Sequence, residues 1–448
     1  MEQNDVSELQ NYLDGHRFRE LRSRLMKMNE ADIAEFLEEL DHNQKVLIFR
    51  MLPKELATDV FAFLEADDQE DIINGITDAE IQNIIEDLFV DDAVDMLEEL
   101  PATVVKRVMR MATPETRTLI NQFLQYPENS AGSIMTAEYI GLKKYMNVEQ
   151  SFSYIRAHGV DKETIYTCFV MDGERHLEGV VTIRDLLMNP YETKIQDIMD
   201  INFIKAVTTD DQEEVMDLFN KYDLICLPVV DHENRLVGIV TVDDVVDVME
   251  EEATEDFEKM AAMLPSDKPY LKTGIFELAK NRIVWLTVLM VSSMITGGIL
   301  TYYEEAFAVL PLLVSFVPML TGTGGNAGSQ SSTMIIRCMA IGEVEPSDIL
   351  KVIWKEVRVA LVVGFLLAAL NFLRLMIMYP GQIMICLTVV ISLYITVIMA
   401  KSIGCTLPII AKLLKLDPAI MAAPLISTIV DACSLIVYFR IACNLLNI

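Results

Sequence analysis

The segment Pro318-Met-Leu-Thr-Gly-Thr-Gly-Gly-Asn-Ala-Gly-Ser-Gln330 lies inside an otherwise apolar stretch long enough to enter a bilayer. Lipid offers no hydrogen bond to backbone N–H and C=O groups. Irregular backbone at that depth survives only when it is buried in protein or lines a wet cavity. A Pro- and Gly-interrupted segment here therefore predicts a broken stretch beside a solute path. Glycine alone would equally serve close helix packing. Asn326 and Gln330, with Thr321, Thr323 and Ser329, weigh towards a conduit, because each adds polar groups that lipid does not satisfy.

Charge separates this region from the rest. The chain carries a net charge of −31, yet residues 281–448 hold ten Lys or Arg against eight Asp or Glu, so the acidic excess lies wholly in residues 1–280. A soluble acidic half precedes a membrane-grade half. This asymmetry argues against nucleic acid as a partner and for a cationic ligand or partner, with a merely solvated acidic surface as the plain alternative. The seven cysteines lack metal-ligand spacing, and Cys338, Cys386, Cys405, Cys433 and Cys443 fall in apolar segments, which argues against a disulfide framework. The N-terminus is polar and acidic with no signal-peptide pattern, so the first half is expected to stay in the cytoplasm.

About 20 apolar residues cross a bilayer. Five spans are expected, at Ile283–Tyr303, Ala306–Ala340, Val352–Met378, Ile383–Leu414 and Ala419–Leu446. Lys268, Lys272, Lys280 and Arg282 precede the first; Arg337, Lys351, Lys355 and Arg358 flank the second connection, and Lys412 and Lys415 the fourth. The connections at Glu304–Glu305 and Tyr379–Gln382 are poor in Lys and Arg apart from Arg374. These positions orient a multi-pass protein of the inner or plasma membrane with its N-terminus in the cytoplasm and its C-terminus outside.

One carboxylate stands out within the spans. Asp431 has Ser427 four residues before it, Thr428 three before and Ser434 three after, so it heads a polar stripe on a helix. A charge at a helix centre costs roughly 2.5–3.5 kcal/mol on insertion scales and usually faces a cavity. Cation binding is the functional reading, and a hydrogen-bonded packing Asp the plain one. All five histidines lie before residue 281, so the spans offer oxygen ligands, which suit a hard cation such as Mg²⁺. Mg²⁺ sheds water reluctantly, and Asp431 would accept hydrogen bonds from its retained waters. Lys401 sits among apolar residues of the fourth span and is expected to face away from the path or to mark the headgroup level.

Two internal repeats organise the first half. Segments starting at Met28, Leu52, Ile76 and Leu100 recur every 24 residues, with second helices expected near Asp41, Glu65, Phe89 and Thr113. Polar or Pro starts followed by helical apolar spacing predict stacked helical hairpins, with an ordinary bundle as the alternative. Gly179-Val-Val-Thr-Ile-Arg-Asp recurs 59 residues later as Gly238-Ile-Val-Thr-Val-Asp-Asp. Each copy follows a β-rich run, so two α/β modules stand in tandem.

The tandem modules resemble a CBS-domain pair. The whole order is similar to the MgtE family of magnesium channels: an acidic helical domain, a CBS pair, a linking helix and five spans. Pro318–Gln330 matches the family's signature, Asp417-Pro-Ala through Pro424 to Asp431 its last-helix pattern, and Glu252-Ala-Thr-Glu-Asp256 the start of its linking helix. The resemblance implies a multidomain fold: an all-α superhelical N domain (1–130), an α/β CBS pair (131–246), a linking helix (247–280) and an all-α membrane domain of five helices (281–448). It also implies a homodimer in the lipid bilayer, with two copies of Asp431 on the twofold axis holding one hydrated Mg²⁺. Asn326, Gln330 and Ser427 would stand beside that path.

The remaining acids come in packets: Asp91, Asp92 and Asp95; Asp211, Glu213, Glu214 and Asp223; then Asp243, Asp244, Asp247, Glu250, Glu251, Glu252, Glu255 and Asp256. Like charges share helix faces there and repel. The expected regulatory ligands are Asp91, Asp95, Asp211, Glu213, Asp223, Asp244, Asp247, Glu252, Glu255, Asp256 and Asp417, with internal Mg²⁺ bridging them to hold the pore shut. Solvation is the plain reading of any single one. Thr182, Arg184 and Asp185, with Thr241 and Asp244, resemble a CBS nucleotide signature for ATP, against an empty structural module. No phosphate-loop ending or catalytic constellation suggests an enzyme. A coupled secondary transporter of divalent cations such as Mg²⁺ or Co²⁺, and a non-conducting membrane-tethered Mg²⁺ sensor, remain the alternatives.

Overall fold

The computed structural model describes residues 3–266, 270–271, 273–304, 308, 310–421 and 423–446. Lys268, Lys272, Glu305 and Ala306, which entered the reading of the spans, lie outside the described residues. The chain forms two compact units, Met1–Met249 and Glu250–Ile448.

In the first unit, α1 (Gln3–Asp14) and α2 (Phe18–Leu25) lead into four helix pairs. These are α3 and α4 (Glu30–Glu38, His42–Phe49), α5 and α6 (Lys54–Ala62, Ala66–Gly75), α7 and α8 (Asp78–Asp87, Val90–Glu99), and α9 and α10 (Ala102–Met111, Pro114–Phe123). Asp41, Glu65, Phe89 and Thr113, the expected second-helix starts, are the N-caps of α4, α6, α8 and α10. Asp41 and Thr113 accept backbone N–H bonds of the first turn, which satisfies donors the helix cannot. Odd-numbered helices pack in sequence on odd ones and even on even, so the pairs stack in two layers rather than as a bundle. Ile33, Phe36, Leu37, Ile48, Val60, Phe61, Ile72 and Ile81 fill the space between the layers. Each such side chain contributes roughly 1.5–3 kcal/mol when buried.

The two modules that follow are built alike. The first has β1 (Gly141–Leu142), α11 (Val148–His158), β2 (Thr167–Met171), β3 (Leu177–Thr182) and α12 (Ile183–Met188). The second has β4 (Ala206–Val207), α13 (Gln212–Tyr222), β5 (Cys226–Val230) and β6 (Leu236–Thr241), which runs straight into α14 (Val242–Met260). In each, the short first strand pairs parallel with the second, and the second antiparallel with the third. Helix α14 starts at Val242, before the expected start of the linking helix at residue 247, and ends two residues before Ala262, which turns left-handed, φ 55°. It passes from the first unit into the second.

The second unit holds α15 (Ile275–Tyr302), α16 (Val317–Ala340), α17 (Ile349–Met378), α18 (Ile383–Leu413) and α19 (Ala423–Leu446). Among the described residues, four helices are long and apolar enough to cross a membrane: Ile275–Tyr302, Pro346–Met378, Ile383–Leu413 and Pro418–Leu446. The expected second span, Ala306–Ala340, is not among them. From Pro311 it is a 3-10 turn, Pro311–Phe316, followed by α16, whose Gly, Ser, Thr, Asn and Gln dilute its hydropathy. Helix α16 is instead walled by α18 and α19. Leu320, Val389, Leu393, Val397, Ile426, Val430 and Phe439 form the core between them. Tyr438, fully buried, donates its phenol hydrogen to Leu313 O at 2.9 Å and ties α19 to the turn. Helix α15 buries none of its residues and packs on α19.

Candidate functional site

The glycine motif is not a break. Helix α16 runs unbroken from Val317 to Ala340 through every glycine of it, which corrects the expectation of irregular backbone. A glycine in a helix costs up to about 1 kcal/mol against alanine. An unbonded peptide group away from water costs more, so the helix holds. The glycines serve contact. A Cβ on Gly324 would lie 2.8 Å from Thr396 Cγ2 and 3.0 Å from Ser434 Oγ, and one on Gly328 2.9 Å from Ile426 Cγ2. A Cβ on Gly404 would collide with the carbonyl oxygen of Gly328, so the backbones of α16 and α18 touch there.

The polar residues of the motif lie elsewhere on the same helix. Thr321, Asn326 and Ser329 line a groove of about 490 Å³ whose other wall is Pro424, Ser427 and Asp431 of α19. Gly322 and Gly325 form its floor, and a Cβ on Gly325 would sit 3.2 Å from Ser427 Cβ and 3.8 Å from Asp431 Oδ1. Asn326 and Asp431, distant in sequence, thus share one opening. Gln330 is exposed and outside this lining. Ser434, expected on the Asp431 stripe, is fully buried and donates to Val430 O at 2.5 Å, turned towards Gly324. Ser427 and Thr428 donate to Pro424 O at 3.0 and 2.9 Å.

Lys401, expected to face away from the path or to mark the headgroup level, is not among the residues that line the groove. It is 6% exposed and bonded to Ser331, with Glu356 alongside. Sequence reading passed over Glu356.

In the first unit, Asp91 and Asp92 of one acidic packet meet Asp243 and Asp244 of another. Asp91 is buried, and its Oδ1 has no hydrogen-bond partner among the described residues. Burial first, then the charges of Asp92, Asp244, Glu163 and Glu138, raise its carboxyl well above the usual range. Burial and the charges of Asp244, Glu138 and Asp243 lift Asp92 to about 6. Burial and the charges of Asp244, Asp243, Asp92 and Glu138 lift Glu163 to about 7. Asp244 is raised by burial, against hydrogen bonds from Thr241 that lower it. Glu138 and Glu163 belong to no acidic run, so nothing in the sequence marked them; the fold brings them in when Glu163 N–H donates to Glu138 O at 2.9 Å.

Other expected ligands have structural duties. Asp211 caps α13 by accepting from Glu213 N at 2.9 Å, and Asp223 ends it with φ 51°. Asp95, Glu213 and Asp247 are exposed and Glu252 is half-buried. In the second unit, Lys259 pairs with both Glu255 and Asp417 at 2.7 Å. Burial draws its ammonium down, and bonds to Asp417 and Glu255 outweigh that and raise it. Burial, then the charge of Asp417, raises Asp256. Among the described residues no three His, Cys, Asp or Glu side chains are gathered tightly enough to hold a metal ion by themselves.

The two Thr-x-x-Asp pieces are helix caps. Thr182 N–H and Oγ1–H donate to Asp185 Oδ2 at 3.0 and 2.5 Å, and Asp185 N–H donates back to Thr182 Oγ1 at 3.2 Å. Thr241 donates to Asp244 Oδ2 in the same way, at 3.1 and 2.6 Å. Arg184 is exposed beside the first cap.

Comparison with known proteins covers most of the chain. A model of the MgtE intracellular N domain matches residues 28–129, CBS-domain models match 131–191 and 195–251, and a model described as MgtE, divalent cation transporter, matches 317–441. The "Magnesium transporter MgtE" of Thermus thermophilus is 35% identical over 451 residues, covering 100% of both chains. That of Bacillus subtilis is 32% identical over 95% of this chain and 94% of its own. Among solved structures, the cytosolic domain of the Mg²⁺ channel MgtE in complex with ATP is 35% identical, TM-score 0.52, covering 54% of this chain and 99% of that one. The soluble part of a magnesium transporter is 28% identical, TM-score 0.53, over 56% and 98%.

Proposed function

This chain belongs to the MgtE family of magnesium transporters, and on that premise we propose that it conducts Mg²⁺ across a cell membrane along the groove between α16 and α19. The observation that carries the reading is the meeting of Asp431, Asn326 and Ser427 in one opening between α16 and α19. A carboxylate there offsets the cost of bringing a dication into low dielectric, and the neighbouring amide and hydroxyl accept or donate to its waters. A single Asp431 leaves that ion under-neutralised. A homodimer presenting two supports the site better, and the apolar surface of α15 offers area for a second copy. In this reading residues 1–130, 131–246, 247–280 and 281–448 are the helical-repeat, CBS, linking and pore parts, α16 is the fifth span, the N-terminus is cytoplasmic and the C-terminus outside.

Flux into proteoliposomes tests it. Replacing Asp431 with Ala is expected to reduce Mg²⁺ flux at least about tenfold, the factor that 1.4 kcal/mol of lost ion stabilisation produces. Equal flux in wild type and variant would reject the groove as the path.

Mg²⁺ also fits the acidic cluster of the first unit as a regulator. Asp91 has a buried oxygen without a partner among the described residues, and the charges of Asp92, Asp244, Glu163 and Glu138 bear on it, with Asp92, Asp244 and Glu163 themselves holding protons more tightly than usual. A bound dication would supply the missing charge. Asp91, Asp244 and their neighbours Glu138 and Glu163 are the proposed ligands; Asp95, Asp211, Glu213, Asp223 and Asp247 extend the acidic surface. Glu252 and Asp256 remain candidates on the linking helix, whereas Glu255 and Asp417 already share the ammonium of Lys259. ATP is proposed to bind the CBS pair near Thr182, Arg184 and Asp185. Calorimetric titration of the full-length protein with ATP, giving no heat, would remove that site.

A further inference from the structure

Three polar side chains from three helices meet inside the second unit, away from the groove. Lys401 Nζ on α18 donates to Ser331 Oγ on α16 at 3.0 Å, and Ser331 Oγ donates to Glu356 Oε2 on α17 at 2.7 Å. The ammonium and carboxylate lie 3.6 Å apart, with side chains 7% and 17% exposed. Lys401 is about 18 Å along α18 from its last residue, at the helical rise of 1.5 Å per residue. Its charge is therefore carried well into the span rather than displayed at an end.

Ser331 follows the groove-lining Ser329 by two residues. The backbone beside Lys401 abuts the other face of α16, since a Cβ on Gly328 would lie 3.2 Å from Ala400 O. One helix thickness separates the ammonium from the path. At that range, in low dielectric, a fixed positive charge acts on a passing cation, and acts twice as strongly on a dication as on a monovalent ion.

We propose that Glu356 sets the electrostatic profile of the cation path without touching the ion, by cancelling the charge of Lys401 from behind α16. This rests on the groove being the path for Mg²⁺. Buried ion pairs contribute little net stability compared with apolar replacements of similar volume, whereas removing one partner leaves an uncompensated charge. The pair therefore matters here for the charge it balances. Glu356 is a positioning residue for Lys401, and its loss exposes the ion to the ammonium.

Mg²⁺ flux into proteoliposomes distinguishes this from a packing role. Glu356→Gln is expected to reduce flux at least about tenfold. Adding Lys401→Met to it removes the second charge and restores flux to within about threefold of wild type. Lys401→Gln alone keeps wild-type flux or exceeds it. A packing role would lower flux in all three variants alike. Wild-type flux in Glu356→Gln, or no recovery in the double variant at an unchanged melting temperature, overturns the proposal. If Glu356→Gln does not fold, Lys401→Gln decides alone: a tenfold loss there overturns it as well. Vesicles in which the wild type itself carries no Mg²⁺ would reject the groove as a path, whereas flux indifferent to Glu356→Gln rejects this inference only.

Discussion

At the scale of single residues, the glycines of α16 divide by what surrounds them. Gly404 of α18 has no room for a Cβ against the backbone of Gly328, whereas a Cβ on Gly322 meets nothing within 4 Å. Gly404→Ala is expected to lower stability by about 1–3 kcal/mol through overpacking, and Gly322→Ala to leave it within about 0.5 kcal/mol. Thermal unfolding of the two variants in detergent checks the contrast. Composition alone left both readings of this motif open, because the cost of a glycine depends on neighbours far away in sequence. Glu356 was hidden for a related reason. It sits among Lys351, Lys355 and Arg358 near the start of α17, where an acid reads as surface charge. Only the packing of α17 against α18, with Ser331 of α16 within hydrogen-bond reach, turns it inward, towards Lys401.

At the scale of elements, boundaries set by local chemistry were legible and long-range meetings were not. The caps at Asp41 and Thr113 announce α4 and α10 because a side chain there satisfies a first-turn donor. The Thr-x-x-Asp pieces resemble a nucleotide signature, and their local duty is to cap α12 and open α14. Lys259 had no signal as the partner of Asp417, which is 158 residues away. That lysine ties the end of α14 to Asp417, a latch that its removal tests. Lys259→Met would leave Glu255, Asp256 and Asp417 facing one another without a cation and would loosen the end of α14. Cleavage after residue 250 by an added protease is expected to speed up at least about threefold at low Mg²⁺, since the pairs are partly exposed and each is worth up to about 1 kcal/mol. Unchanged cleavage would deny the latch.

At the scale of the whole molecule, the acidic first half is held compact against its own charge. Asp92 and Glu163 keep protons to about 6 and about 7 in the folded unit, against ordinary carboxyl values of roughly 4 when unfolded. Between those values the folded chain binds more protons than the unfolded chain, so stability falls as pH rises through that window and levels off above it. Glu80 works in the opposite direction, held down to about 2 chiefly by its hydrogen bond from Arg50, and its contribution is lost only below the unfolded carboxyl range. In chelator, the full-length protein is expected to melt at a lower temperature at pH 8 than at pH 5.5, with millimolar Mg²⁺ narrowing the gap. Equal melting at both pH values would deny that the cluster is under charge strain. The contact of Gly328 with Gly404 carries a mechanical consequence for the second half. Two main chains that touch without intervening side chains have no clearance to slide, so α16 and α18 turn as a rigid couple. Helix α19 meets α16 through Ile426, Val430 and Ser434, whose rotamers can change. If the groove is the proposed path, any widening of it is expected to fall to α19, carrying Asp431 along.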